Sequence, residues 1–204
     1  RILIDTGVGN KHELKFYQPH NLKDIVEEVR RFGYSAEDIT DVILTHLHFD
    51  HCGYSTRFDD NRKAVPTFPN ATYWLSQAQW DNYRNPSLYE KDSFFAENIE
   101  PIADANQLQL INEDIELFEG LSLKLYDGHT PGQIAVFIDT ITERIIYPGD
   151  VIPTSAHVSL GWVSAYDNNA ALAMEEKKRL LDQIIDEDRR AIFYHDAHIV
   201  SAKI

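Results

Sequence analysis

The chain has 204 residues, enough for one α/β domain with a sizeable core and too few for two ordinary ones. Nineteen Lys and Arg against 33 Asp and Glu leave a formal charge of −14. Such a surface repels phosphate backbones and sets nucleic-acid processing aside. No signal peptide is visible and no apolar run approaches the ~20 residues of a membrane-spanning helix, so no membrane partner is expected. Cys52 is the only cysteine, which excludes an internal disulfide and fits a reducing, cytoplasmic compartment. The sequence opens at Arg1 inside an apolar run and ends soon after the last motif at Ile204. It therefore reads as one domain over residues 1–204 lacking its first strands and C-terminal tail, and that missing start leaves export open.

In chain order, residues 2–5 read as a strand and 6–10 as the turn after it. Residues 11–20, with Phe16 and Tyr17, have no clear period and read as a loop over a site or a surface connection. Asn21 is the expected N-cap of a helix reaching Phe32, with Ile25, Val26 and Val29 on one face and Gly33 as its stop. Residues 35–39 suggest a helical turn leading into an apolar strand at 41–45. Residues 58–68 read as a hairpin or surface excursion, 72–75 as a strand, and Ser76 as the cap of a helix carrying Trp80 and Tyr83. Residues 85–106 read as helical from Ser93 onward. Tyr89, Phe94 and Phe95 are assigned mainly to the core, the commoner use of such residues. Short strands are expected at 108–111, 115–118 and 121–126, then a hairpin of 134–139 with 144–147. Asn168 or Asn169 caps a long helix to about Asp186 that buries Leu180, Leu181, Ile184 and Ile185, and residues 191–194 form the last expected strand.

The stretch 45–53, THLHFDHCG, carries the chemistry. His46, His48, Asp50 and His51 fall within six residues, directly after an apolar strand. In an extended segment His46, His48 and Asp50 point to one side and His51 to the other, so one loop can serve two neighbouring ions. Imidazole and carboxylate suit Zn, Fe, Mn or Co, and one loop cannot fill two coordination spheres. The alternative is a cluster of surface histidines, which a single His would suggest and this constellation does not.

HLHFDH resembles the HxHxDH signature of the metallo-β-lactamase-fold hydrolases. GHTPGQ at 128–133, YPGD at 147–150 and FYHD at 193–196 resemble that family's later metal motifs, and IDTG at 4–7 its first. The resemblance implies a four-layer αβ/βα sandwich. It further implies two divalent metal ions, Zn foremost with Fe or Mn as alternatives. His46, His48 and His129 would bind one ion, Asp50, His51 and His195 the other, and Asp150 would bridge them. Asp5 would support the ligands from behind. By the same resemblance the chain is a hydrolase that uses a metal-bridging hydroxide, with Asp50 also passing a proton to the leaving group.

Phe49 within HLHFDH makes the chain especially similar to N-acyl-homoserine lactone lactonases and their organophosphate-cleaving relatives. An ester or lactone substrate follows, with a glyoxalase II-like thioesterase or a phosphotriesterase as the enzymatic alternative and a non-catalytic metal-binding module as the distant one. Three positions depart from the family: Pro153 where the lactonases commonly carry Tyr, Gln133 where His is frequent, and Tyr54 where a second Gly is usual. His157, Trp162 and Tyr166 are candidates to reach the site or line its pocket, His198 a surface or supporting residue, and Cys52 a buried structural thiol. Relatives of this kind often form homodimers, and the sequence carries no diagnostic interface stripe.

Overall fold

The computed structural model describes residues 1–11 and 18–204; residues 12–17, which hold Phe16 and Tyr17, lie outside the described residues. The chain forms two compact units, one of Arg1–Leu75 with Tyr83–Leu110, the other of Ser76–Asn82 with Ile111–Ile204.

The first unit is built on a four-stranded sheet. It contains β1 (Ile2–Ile4), α1 (Ile25–Arg31), β2 (Asp41–Ile43), α2 (Phe49–Cys52), β3 (Thr56–Phe58), β4 (Ala64–Pro66) and β5 (Thr72–Ser76). After α3 (Gln77–Arg84) come α4 (Glu100–Asp104) and β6 (Leu108–Ile111). The sheet order is β1-β2-β5-β6, with β2 parallel to both β1 and β5. The apolar run is thus a central strand, and Val42, Ile43 and Leu44 are fully buried, as a parallel strand covered on both faces requires. β3 and β4 make the expected surface hairpin. Helix α1 begins later than the sequence suggested. Asp24, not Asn21, accepts from Val26 N (2.9 Å) and Glu27 N (3.3 Å) as the N-cap, while Asn21 sits in the left-handed region at φ 54°. The helix expected from Ser93 is broken into 3-10 turns at Lys91–Ser93 and Ala96–Asn98 before α4.

The second unit is built on a six-stranded sheet. Its strands are β7 (Ile115–Phe118), β8 (Leu121–Tyr126), β9 (Gln133–Asp139), β10 (Arg144–Tyr147), β11 (Arg190–Ile192) and β12 (Ser201–Lys203), in the order β12-β11-β10-β9-β8-β7. All neighbours are antiparallel except β10 and β11, and the crossover between those two is α5 (Ala170–Asp186). Asn169 caps α5, accepting from Leu172 N. Leu180, Leu181 and Ile184 pack on Phe137, Ile146 and Ala191 of the sheet. Ile185 lies at the edge of that arc of the helix and is 57% exposed. β12 escaped the sequence reading, being only three residues long.

Candidate metal centre

Each candidate ligand follows a strand. His46 comes after β2, His129 after β8, Asp150 after β10 and His195 after β11. The extended geometry expected over 46–51 is corrected: His48 is the N-cap of α2, which carries Asp50 and His51. The helical turn, not strand alternation, separates these side chains.

Within the first unit the imidazoles form a closed chain of bonds. Asp5 is buried and held at φ 54°, a strained conformation for a residue with a side chain. Its Oδ1 accepts from Thr45 N (2.8 Å), and its Oδ2 accepts from Thr45 Oγ1 (2.8 Å) and His51 Nδ1 (2.8 Å). With its proton given to Asp5, the Thr45 hydroxyl can accept from His46 Nδ1 at 3.0 Å. His48 Nε2 donates to the buried carboxylate of Glu90 at 2.9 Å. The lone pairs then lie on His46 Nε2 and His48 Nδ1, which face each other at 3.0 Å in a buried setting. Two imidazole acceptors so placed need a cation or a shared proton between them, and this donor set fits a metal ion.

The second unit repeats the arrangement. Asp167 Oδ1 accepts from His129 Nδ1 at 2.9 Å, leaving Nε2 toward Asp150. Asp150 Oδ2 lies 3.5 Å from His129 Nε2 and 3.3 Å from His195 Nε2. One carboxylate thus faces two imidazoles. The loop bearing His129 is held by Glu176 of α5, whose carboxylate accepts from the backbone N–H groups of Asp127 and Gly128. A Cβ on Gly128 would lie 2.3 Å from Ala173 Cα, so only glycine lets α5 approach this closely. Asp196 organises the last loop: its Oδ2 accepts from Ser155 N (2.9 Å) and Oγ (2.5 Å), its Oδ1 from His198 N and Ile199 N. These four donors hold its carboxyl well below the usual carboxylate range.

The candidate ligands gather within each unit, His46, His48, Asp50 and His51 in the first and His129, Asp150 and His195 in the second. Residues 1–195 match the Metallo-beta-lactamase superfamily model. The chain belongs to the metallo-β-lactamase superfamily. Among its relatives is an N-acyl homoserine lactonase of a Bacillus species, 27% identical over an alignment of 209 positions that covers 96% of this chain and 76% of the relative. A probable metal-dependent hydrolase from Staphylococcus aureus superposes with a TM-score of 0.90 at 27% identity, over 99% of this chain and 72% of that one. AidC, described as a dizinc quorum-quenching lactonase in complex with a product, superposes with a TM-score of 0.80 at 25% identity, over 99% of this chain and 70% of its own. The fold is therefore the α/β fold of metal-dependent hydrolases expected from the sequence.

As a member of the metallo-β-lactamase superfamily, the chain carries supporting groups that its motifs did not reveal. Glu90 and Asp167 contact the candidate ligands His48 and His129, 42 and 38 residues away in sequence, and no local pattern marks them. Lys11 was also missed: its ammonium donates to the carbonyls of Gly53 and Thr56, bracing the end of the HLHFDH loop. Tyr54, at the position usually held by Gly, is buried and donates to Asp24 Oδ2 at 2.6 Å, tying this superfamily loop to the start of α1. Gln133 is buried and donates to Pro148 O at 3.1 Å, so it fastens the Asp150 loop. Cys52 is buried with its thiol on Leu47 O, and burial pushes its pKa up to about 12, as suits a structural thiol. His157 lines a pocket with Asp150, Trp162, Asp167 and Lys177, and its Nδ1 pairs with Thr154 Oγ1 at 2.7 Å. Tyr166 is exposed, His198 is a surface residue, and Tyr89, assigned to the core from sequence, is 60% exposed. Among the described residues no helix is long and apolar enough to cross a membrane.

Proposed function

We propose that this chain is a dinuclear metal-dependent hydrolase, acting as a single domain, that opens ester or lactone bonds, with N-acyl-homoserine lactones as the leading substrates. His46, His48, Asp50, His51, His129, Asp150 and His195 are its metal ligands in this reading, and two zinc ions its cofactors. The observation that carries it is Asp150 Oδ2, which lies 3.5 Å from His129 Nε2 and 3.3 Å from His195 Nε2, the placement a bridging carboxylate needs. Superfamily membership and lactonase relatives at about a quarter identity support the same reading.

When bound, a pair of divalent ions would supply a hydroxide at neutral pH and a Lewis acid for the carbonyl. The chain's own residues do the rest. Asp5, Thr45, Glu90 and Asp167 each take one nitrogen of a ligand histidine, fixing ring orientation and tautomer. Asp50 stands at the open side, its side chain 27% exposed and Oδ2 3.8 Å from His51 Nε2. It is placed to hold the proton released by the attacking water on a carboxylate oxygen. As the acyl carbon–oxygen bond breaks, that proton passes to the leaving oxygen, so one water is added across one bond. The single buried thiol accords with a cytoplasmic protein.

The test is metal content by mass spectrometry together with hydrolysis of acyl-homoserine lactones, an aryl phosphotriester, a glutathione thioester and aryl esters. Two metals per chain and chelator-sensitive lactone opening are expected. Turnover of the triester or thioester alone would move the substrate class, and a metal-free, inactive protein after reconstitution would sink the proposal.

A further inference from the structure

The segment joining α3 to α4 is exposed, with Leu88 at 86% and Tyr89 at 60% exposure. Within it Glu90 is buried, at 3%, as are Asn98 and Ile99 at its far end. A carboxylate is the least suitable group to bury as an anchor unless its charge meets a partner. His48 Nε2 is such a partner, at 2.9 Å. The turn around Glu90 is otherwise local: Glu90 N donates to Ser87 O and Oγ at 3.3 Å, and Lys91 N to Ser87 O at 3.0 Å. Four residues on, Phe94 leans over the His48 ring at 5.6 Å between centroids and meets Tyr83 edge-on at 5.9 Å.

We propose that Glu90 is a positioning residue with two linked effects. It holds the Nε2–H tautomer of His48, which leaves Nδ1 as the ligating atom, and it pins the 87–95 segment, with Phe94 as a wall, to the metal centre. The inference rests on the metal-binding part of the function proposed above and not on the identity of the substrate. It follows from the hydrogen bond itself: the buried carboxylate is stabilised when the imidazole donates to it, and the tautomer with the proton on Nε2 is favoured when the carboxylate accepts it. Metal on Nδ1 strengthens the same bond by making the Nε2 proton more acidic.

The experiment uses zinc-loaded wild type, Glu90→Gln and Glu90→Ala. Competition with a chromogenic chelator measures the affinity of each zinc, and amide exchange over 87–95 measures how firmly the segment is held. Glu90→Ala should lose about 10–100-fold in affinity for one of the two ions and expose the segment to exchange. Glu90→Gln, whose amide oxygen can still accept, should keep the segment protected and lose less. If Glu90→Ala binds both ions as tightly as wild type, the assignment is overturned. So it is if the affinity falls while exchange over 87–95 is unchanged, since the two effects are then not linked. Should Glu90→Ala not fold, Glu90→Gln is compared with Glu90→Leu instead, and zinc binding and exchange that match between those two variants overturn the idea. A wild type that binds two zinc ions but cleaves no lactone removes the proposed substrate and leaves this assignment to be judged on its affinity ratio.

Discussion

Asp5 shows how much of the centre depends on single atoms. A non-glycine residue at φ 54° is costly, and it is kept because its carboxylate closes three bonds, to Thr45 N, Thr45 Oγ1 and His51 Nδ1. Asp50 has a different duty at the same loop. Its replacement by Asn should leave the thermal midpoint nearly unchanged and lower kcat about 10²–10⁴-fold in metal-saturated protein, the usual worth of a positioned proton carrier. Unchanged turnover would take Asp50 out of the reaction. Lys11 gives a pH signature. Burial pulls its ammonium down from 10.5 to about 8, so between those values the unfolded chain binds a proton that the folded chain does not. Folding is therefore penalised below about pH 8, and the penalty fades as pH rises toward 10.5. In urea titrations wild type should gain stability over Lys11→Met across that window, and a constant difference would show that Lys11 keeps its ordinary value.

At the level of elements, α5 both builds the core of its unit and supports a ligand loop. Ile184 is fully buried on the sheet while its neighbour Ile185 is 57% exposed. Ile184→Ala should cost about 2–5 kcal/mol by creating a cavity, whereas Ile185→Ala should stay within about 0.5 kcal/mol; chemical denaturation of both variants checks the pair. One turn pair earlier on the same helix, Glu176 receives the N–H groups of Asp127 and Gly128 and so aims the His129 loop. Glu176→Gln should weaken zinc binding while leaving the unfolding midpoint nearly unchanged, because the amide oxygen can still accept both N–H groups but the second oxygen, which also faces Asp127 N at 3.1 Å, becomes an NH2 donor. Chelator competition beside a thermal melt separates the two effects.

For the molecule as a whole, bound metal is expected to add stability by mass action. At free zinc about 100 times Kd the gain is about 2.7 kcal/mol, which for a chain of this size shifts the midpoint by roughly 5–10 °C. Calorimetry before and after chelation, with zinc restored, measures it, and identical melts would argue against tight metal binding in the native state. A charge of −14 also predicts faster capture of cations than of anions, with an on-rate for zinc that falls as salt is added.

The sequence alone marked the HLHFDH loop, the later candidate motifs and most strands, because those signals are local: candidate ligands one to five residues apart, and apolar runs ended by turn residues. It also narrowed the cap of α5 to Asn168 or Asn169, of which the structure takes Asn169, and marked Ser76 as a cap, which accepts from Gln79 N at 3.0 Å. It misplaced the start of α1, since Asn21 and Asp24 are both good caps and only packing chooses between them. It drew 46–51 as extended, since a four-residue helix has too short a period to read. Glu90 and Asp167 were decided by tertiary structure alone. An acidic residue on a polar stretch looks like any solvated carboxylate until the chain brings a histidine's second nitrogen to within 2.9 Å of it.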